Sequence, residues 1–167
     1  MRVHSFPPIA DPASRVLILG SMPGRASLRA KQYYAHPQNA FWKIVSALFA
    51  FDAAAPYDQR LEALRAHGIA LWDVMKSCTR ESSLDSDVVE SSIVANSFPS
   101  FFRAHPRIRT VCFNGTKAEA TFLKHVLPKL GPLGDLEYYL LPSTSPARAS
   151  MTLHDKLGAW RAVLADR

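Results

Sequence analysis

Four short segments of this 167-residue chain carry residue types able to touch and orient a small ligand. They are Gly20-Ser21-Met22-Pro23-Gly24, His36-Pro37-Gln38-Asn39-Ala40-Phe41-Trp42-Lys43, Asn114-Gly115-Thr116 and Pro142-Ser143-Thr144-Ser145-Pro146. The first lacks the Gly-Lys-Ser/Thr of a P-loop and the spacing of a dinucleotide fingerprint, which argues against a nucleoside-triphosphate enzyme. A tight turn whose backbone touches a ligand stays open. In the second, Asn39 sits at a helix start, where its plainer role is an N-cap bonding to the Trp42 N–H. Phe41 and Trp42 have an equally plain role as core residues of that helix. An Asn amide takes up no proton, but its carbonyl orients water and its NH₂ donates. No paired carboxylates fall in these loops, so a strong general base is not expected. Asp73 reads as a strand-end cap, Asp85 as a solvated loop residue and His36 as a residue that fixes its loop. His154 and Asp155 read as capping and dipole partners of the last helix.

These segments need elements to hold them. Four apolar runs read as buried parallel strands: Arg15 to Gly20, Ile69 to Val74, Arg109 to Asn114 and Tyr138 to Leu141. Each is continuous rather than alternating, as expected when helices cover both faces of the sheet. Helical patterns fit Ala40 to Phe49, Asp58 to His67, Phe98 to Ala104, Thr116 to Leu127 and Thr152 to Leu164. In the last, Leu153, Leu157, Trp160 and Leu164 form one stripe. Ser77 to Ser92 reads as an exposed loop or short irregular helix. The alternation predicts one α/β domain over residues 1–167, three layers deep (α/β/α) around a mainly parallel four-stranded sheet. A ligand of such a sheet binds outside the carboxyl ends of its strands. That rule brings Gly20 to Gly24, Asp73 onward, Asn114 to Thr116 and Pro142 to Pro146 to one rim.

Composition narrows the partners. Twenty Lys and Arg against fourteen Asp and Glu give a net charge of +6 and a pI of about 9.6. This favours polyanions such as nucleic acid. The two cysteines, Cys78 and Cys112, cannot supply a Cys-rich zinc site or a four-cysteine cluster and read as buried, inert thiols. No metal and no cofactor is expected. No apolar run is long enough to cross a bilayer, and Met1 to Pro12 lacks the pattern of a secretion signal. A monomeric cytoplasmic protein associated with the nucleoid is the expectation.

The glycine-rich segment followed by His36 to Lys43 resembles the first motif region of the mismatch-specific uracil-DNA glycosylases. Leu141 to Ala147 resembles the second motif of the uracil-DNA glycosylase superfamily, the loop that presses into the DNA minor groove. The combination most resembles the hypoxanthine-DNA glycosylase branch, which acts on deoxyinosine. The resemblance implies a catalytic role for Asn39, stacking of a flipped base on Phe41 and reading of its edge by Asn114, with Ser21 and Met22 beside the base. It also implies DNA contacts from Gly20, Pro23, Gly24, Pro142, Ser143, Thr144 and Ser145, with Arg148 as wedge or phosphate anchor. Three positions depart from the relatives it evokes. Met22 stands where mismatch-specific enzymes carry a catalytic asparagine, Leu141 where uracil-specific enzymes carry a histidine, and Ser145 where a leucine wedge is usual. These departures weaken the case for uracil and leave Asn39 to position water.

The expected activity is therefore monofunctional excision of a deaminated base, above all hypoxanthine, from double-stranded DNA. N-glycosidic cleavage passes through an oxocarbenium-like sugar, and an orienting amide suits a path in which the bond breaks before water attacks. Two alternatives are a mismatch-specific uracil or thymine glycosylase and a non-catalytic nucleic-acid-binding domain. The second leaves the Asn39 and Phe41 pair without purpose.

Overall fold

The computed structural model describes residues 1–147 and 150–167. In chain order the elements are β1 (Arg2–His4), β2 (Val16–Gly20), α1 (Arg25–Ala30), α2 (Phe41–Phe49), α3 (Tyr57–Ala66), β3 (Ile69–Asp73), β4 (Met75–Thr79), β5 (Val94–Ala95), α4 (Phe98–Ala104), β6 (Thr110–Asn114), α5 (Thr116–His125), β7 (Glu137–Leu141) and α6 (Leu153–Leu164). The main sheet has the order β3-β2-β6-β7, and all three pairings are parallel.

Consecutive side chains of a strand leave on opposite faces, and the sheet divides its residues accordingly. Val16, Ile18, Ile69, Leu71, Cys112 and Leu141 pack with Phe41, Ile44, Leu64 and Trp160 from α2, α3 and α6. Leu17, Leu19, Ala70, Trp72, Val111 and Phe113 pack with Phe98, Phe102 and Phe122 from α4 and α5. The expected three-layer α/β/α architecture around a parallel four-stranded sheet is what folds. Cys78 and Cys112 are free and buried.

Some expectations change. The run Ser77 to Ser92 is not all loop: Ser77 to Thr79 complete β4, which pairs antiparallel with β1 and β5 in a second, small sheet. Strands this short leave little periodicity to read. Beyond them the chain forms 3₁₀ turns at Asp85–Asp87 and Glu90–Ser92. Helix α1, six residues long, also had no strong sequence signal. Helix α6 starts on a capping box in which the Thr152 side chain accepts from the Asp155 N–H and Asp155 accepts from the Thr152 N–H. Leu153 is exposed at its first turn, so the apolar stripe starts at Leu157.

Candidate active site

The carboxyl ends of β2, β3, β6 and β7 open into a cavity of about 1010 Å³. Its walls include the turn Gly20 to Gly24, Asp73, the segment Asn114 to Thr116, the loop Pro142 to Ala147 and the turn Ser83 to Ser86. Tyr34, His36 and Asn39 close the side next to α2. The predicted rim thus converges. Among the described residues, no group of three or more His, Cys, Asp and Glu is arranged to hold a metal ion.

Asn39 does not cap α2 in the expected way. Its Oδ1 accepts the Phe41 N–H at 2.9 Å, and Ala40 occupies the N-cap position without a side-chain bond. The amide bonds two residues ahead rather than three, an Asx turn. Since the N–H of Phe41 fixes which amide atom is oxygen, the Nδ2 group is left as a donor, and no described residue accepts from it.

Asn114 ends β6 and is also held in one orientation. Its Oδ1 accepts the Thr144 N–H at 2.9 Å, and its Nδ2 donates to Thr144 Oγ1 at 3.0 Å. The remaining N–H and the remaining oxygen lone pair point outward on opposite sides of the amide. Thr144 itself is 1% exposed, and its carbonyl accepts the Ala40 N–H at 3.0 Å. Rather than facing solvent with its neighbours, Thr144 is a buried hub joining the strand ends to the start of α2. Pro142 is held as well, its carbonyl accepting from Trp160 Nε1 at 2.9 Å. Ser143 and Ser145 stay partly exposed at the cavity, with the Ser143 Oγ accepting the Ser145 N–H. Arg148 lies outside the described residues.

Phe41 does not line the cavity. It is 0% exposed, stacked behind Tyr34 with ring centroids 4.0 Å apart and planes at 19°. Tyr34 takes the wall position, on a backbone with φ of 55°, a conformation uncommon for a bulky residue. Ser21 and Met22 lie where expected, at the cavity, although Met22 is mostly buried against Met75 and Cys78. Behind this turn, buried Arg80 donates from Nη2 to the Pro23 carbonyl at 2.6 Å, and burial lowers its pKa.

Two carboxylates reach the cavity. Asp85 is exposed and its Oδ1 accepts from Ser21 Oγ at 2.6 Å, tying the 83–86 turn to the glycine-rich one. Asp73 is not a strand-end cap. It is 3% exposed, and its Oδ2 is buried without a partner among the described residues. The Tyr34 hydroxyl is buried beside the Asn114 side chain. Burial and then the charge of Asp85 push the Asp73 carboxyl up to about 7, with Arg80 opposing. Burial, followed by Asp73, raises the Tyr34 phenol above its ordinary range, while Asn114 works against the rise. Gly20 gives these groups room: a Cβ there would sit 2.6 Å from Asp73 Oδ1 and 3.1 Å from the Tyr34 oxygen.

On the outer side, Glu90 bonds Lys117 Nζ at 2.8 Å and lies 3.3 Å from His125 Nε2, both on α5. These partners, Lys117 foremost, hold its carboxyl down at about 2. The pair anchors the segment that carries the 83–86 turn. Arg25 is the only Lys or Arg among the described lining residues, and its Nη2 donates to the Glu81 carbonyl.

Comparison with known proteins adds an independent line. The sequence model of the Uracil DNA glycosylase superfamily matches residues 7–165. A hypoxanthine DNA glycosylase of Methanosarcina barkeri is 40% identical over 119 residues, covering 71% of this chain and 74% of that protein. A hypoxanthine DNA glycosylase of Methanosarcina acetivorans is 35% identical over 161 residues, 96% of each chain. The solution NMR structure of a candidate uracil DNA glycosylase from Methanosarcina acetivorans superposes with a TM-score of 0.82 at 34% identity, covering 99% of this chain and 98% of that one.

Proposed function

Because the chain belongs to the uracil DNA glycosylase superfamily, we propose that it removes hypoxanthine from deoxyinosine in double-stranded DNA, acting as a monomer in the cytoplasm on the nucleoid. It is a DNA glycosylase, a hydrolase of N-glycosyl bonds. The observation that carries the substrate assignment is the likeness over 96% of each chain to a relative named for hypoxanthine. The cavity suits that substrate, since its volume lies at the upper end of the roughly 300–1,000 Å³ usual for small-molecule sites.

A base inside a duplex is out of reach, so the nucleotide must rotate out of the stack, at a cost of a few kcal/mol. The flipped base stacks on Tyr34, which Phe41 backs as a second layer. Stacking of this kind contributes about 1–3 kcal/mol and offsets much of the unstacking. Asn114 reads the edge. Its remaining N–H, which points away from the edge that Thr144 occupies, donates to O6 of the base, and Thr144 fixes that orientation. Adenine presents an amino donor in place of O6 and would leave that N–H unmatched, costing about 1–3 kcal/mol. Asn39 orients the attacking water through Nδ2, its Oδ1 being anchored by the helix backbone.

The Gly20 to Gly24 turn and Ser143 contact DNA phosphates. Among the described residues, no helix is long and apolar enough to cross a membrane. The test is a single-turnover panel of duplexes carrying inosine, uracil, xanthine or a thymine mismatch. Inosine should be processed fastest, leaving an intact abasic site and no borohydride-trapped adduct. Faster release of uracil or thymine would overturn the substrate assignment.

A further inference from the structure

We propose that Asp73 is a catalytic residue that donates its carboxyl proton to N7 of the flipped purine as the glycosidic bond breaks. The proposal rests on the reading of the substrate as hypoxanthine and adds the group that makes the base a better leaving group.

Three observations carry it. Asp73 lines the cavity, yet it is 3% exposed and its Oδ2 has no partner among the described residues. Unpaired buried polar groups are few in native proteins and need an explanation. The Oδ1 of Asp73 borders the space left by the missing side chain of Gly20, across from the Tyr34 hydroxyl. An unpartnered carboxyl on the cavity wall is a polar position awaiting a ligand.

Position then limits which atoms of the base reach Asp73. Gly20 pairs with Asp73 on one side, and Leu19 pairs with Phe113 on the other, so Asp73, Gly20 and Asn114 stand level at three adjacent strand ends. Two strand spacings separate Asp73 from Asn114, on the order of 10 Å. A base whose O6 lies on Asn114 therefore turns another of its ring nitrogens toward Asp73. The acceptors left on hypoxanthine are N7 and N3, and N7 is the more basic.

The carboxyl is in the required state. The groups facing it are Asp85 from the 3₁₀ turn, Arg80 from beyond β4, and Tyr34 and Tyr33 from the segment before α2. Burial outweighs Arg80, and the carboxyl holds its proton up to about pH 7. An acid with a pKa near the working pH transfers its proton most effectively. In the step itself, the C1′–N9 bond breaks and its electron pair leaves with the base. The proton passes from Asp73 to N7, so the base departs neutral. Water adds hydroxide to C1′, and its remaining proton returns to the Asp73 carboxylate. One water is consumed, and the acid is regenerated.

The test is single-turnover cleavage across neutrality, with wild type and Asp73→Asn, on duplexes carrying deoxyinosine or its 7-deaza analogue, which has no N7 acceptor. Wild type on deoxyinosine should be level at acid pH and fall about tenfold per pH unit above about 7. Asp73→Asn should be slower by about 10²–10⁴-fold and lose that pH dependence. The 7-deaza substrate should remove the same pH dependence from wild type, and combining the two changes should add little further loss. A level wild-type profile on deoxyinosine overturns the proposal, as do losses that multiply when combined. The 7-deaza arm uses wild-type protein, so it decides even if Asp73→Asn folds poorly. Failure of wild type to release hypoxanthine at any pH would instead remove the substrate assignment, and this proposal with it.

Discussion

Asp73→Asn should change how stability responds to pH, whatever it does to turnover. The carboxyl has an ordinary value of 3.8 and is pushed up to about 7 in the fold. Between those values the unfolded chain ionises Asp73 while the native protein keeps it protonated. The unfolded state is favoured by that difference, so native stability falls as pH rises from about 4 and the loss is complete above about 7. A tenfold difference in proton affinity between the two states corresponds to about 1.4 kcal/mol. The rise from 3.8 to about 7 therefore sets a full span of up to about 4 kcal/mol. An amide of the same shape does not ionise and escapes this loss. Denaturant unfolding of both proteins from acid to mildly alkaline pH reads the effect. Groups common to both cancel in the difference, and Asp73→Asn should gain on wild type by up to about 4 kcal/mol, roughly 10 °C in melting temperature for a chain of this size. A difference that does not vary with pH would refute the argument. A difference of opposite sign would mean that Arg80 holds Asp73 as a carboxylate.

Other substitutions separate binding, chemistry and support. Asn39→Ala should slow single-turnover cleavage by about 10²–10³-fold with little change in DNA affinity. The lost bond to the Phe41 N–H should lower stability by only about 1 kcal/mol; normal turnover beside a lowered melt would remove Asn39 from the chemistry. Asn114→Ala leaves the N–H of buried Thr144 unpaired and should cost about 1–3 kcal/mol by denaturant unfolding. It should also narrow the discrimination between hypoxanthine and adenine; preserved stability and discrimination would show that the Thr144 bonds are dispensable. Arg25→Ala should weaken all duplexes alike and reduce the magnitude of the log K against log salt slope by about 0.9. A change confined to one lesion would place Arg25 against the base instead of the backbone.

Much of the fold was legible because its signals were strong and local. The runs Arg15 to Gly20, Ile69 to Val74, Arg109 to Asn114 and Tyr138 to Leu141 are continuous and apolar, and each supplies a strand of the parallel sheet, although the last, at the sheet edge, is only partly buried. The rule that ligands bind at the carboxyl ends then gathered the correct loops around one cavity. What escaped was decided at long range. Phe41 and Tyr34 are both aromatics of one segment, and only packing decides that Phe41 goes under the sheet face while Tyr34 takes the wall. Thr144 sits in a Ser- and Pro-rich loop that looks exposed, yet its bonds to Asn114 and Ala40 span thirty residues and more of sequence. Asp73 does carry a local signal, a carboxylate closing an otherwise apolar strand on the rim where ligands bind. Its burial depends on Tyr34 and Gly20, which no local pattern connects to it.

The most direct test of the central claim is chemical identification of what wild-type protein releases from a deoxyinosine duplex in a single turnover. Mass analysis should find free hypoxanthine and an unbroken strand carrying one abasic site, in equal amounts. An unchanged duplex, a strand cut in the same step, or hypoxanthine released as its nucleoside would contradict the claim.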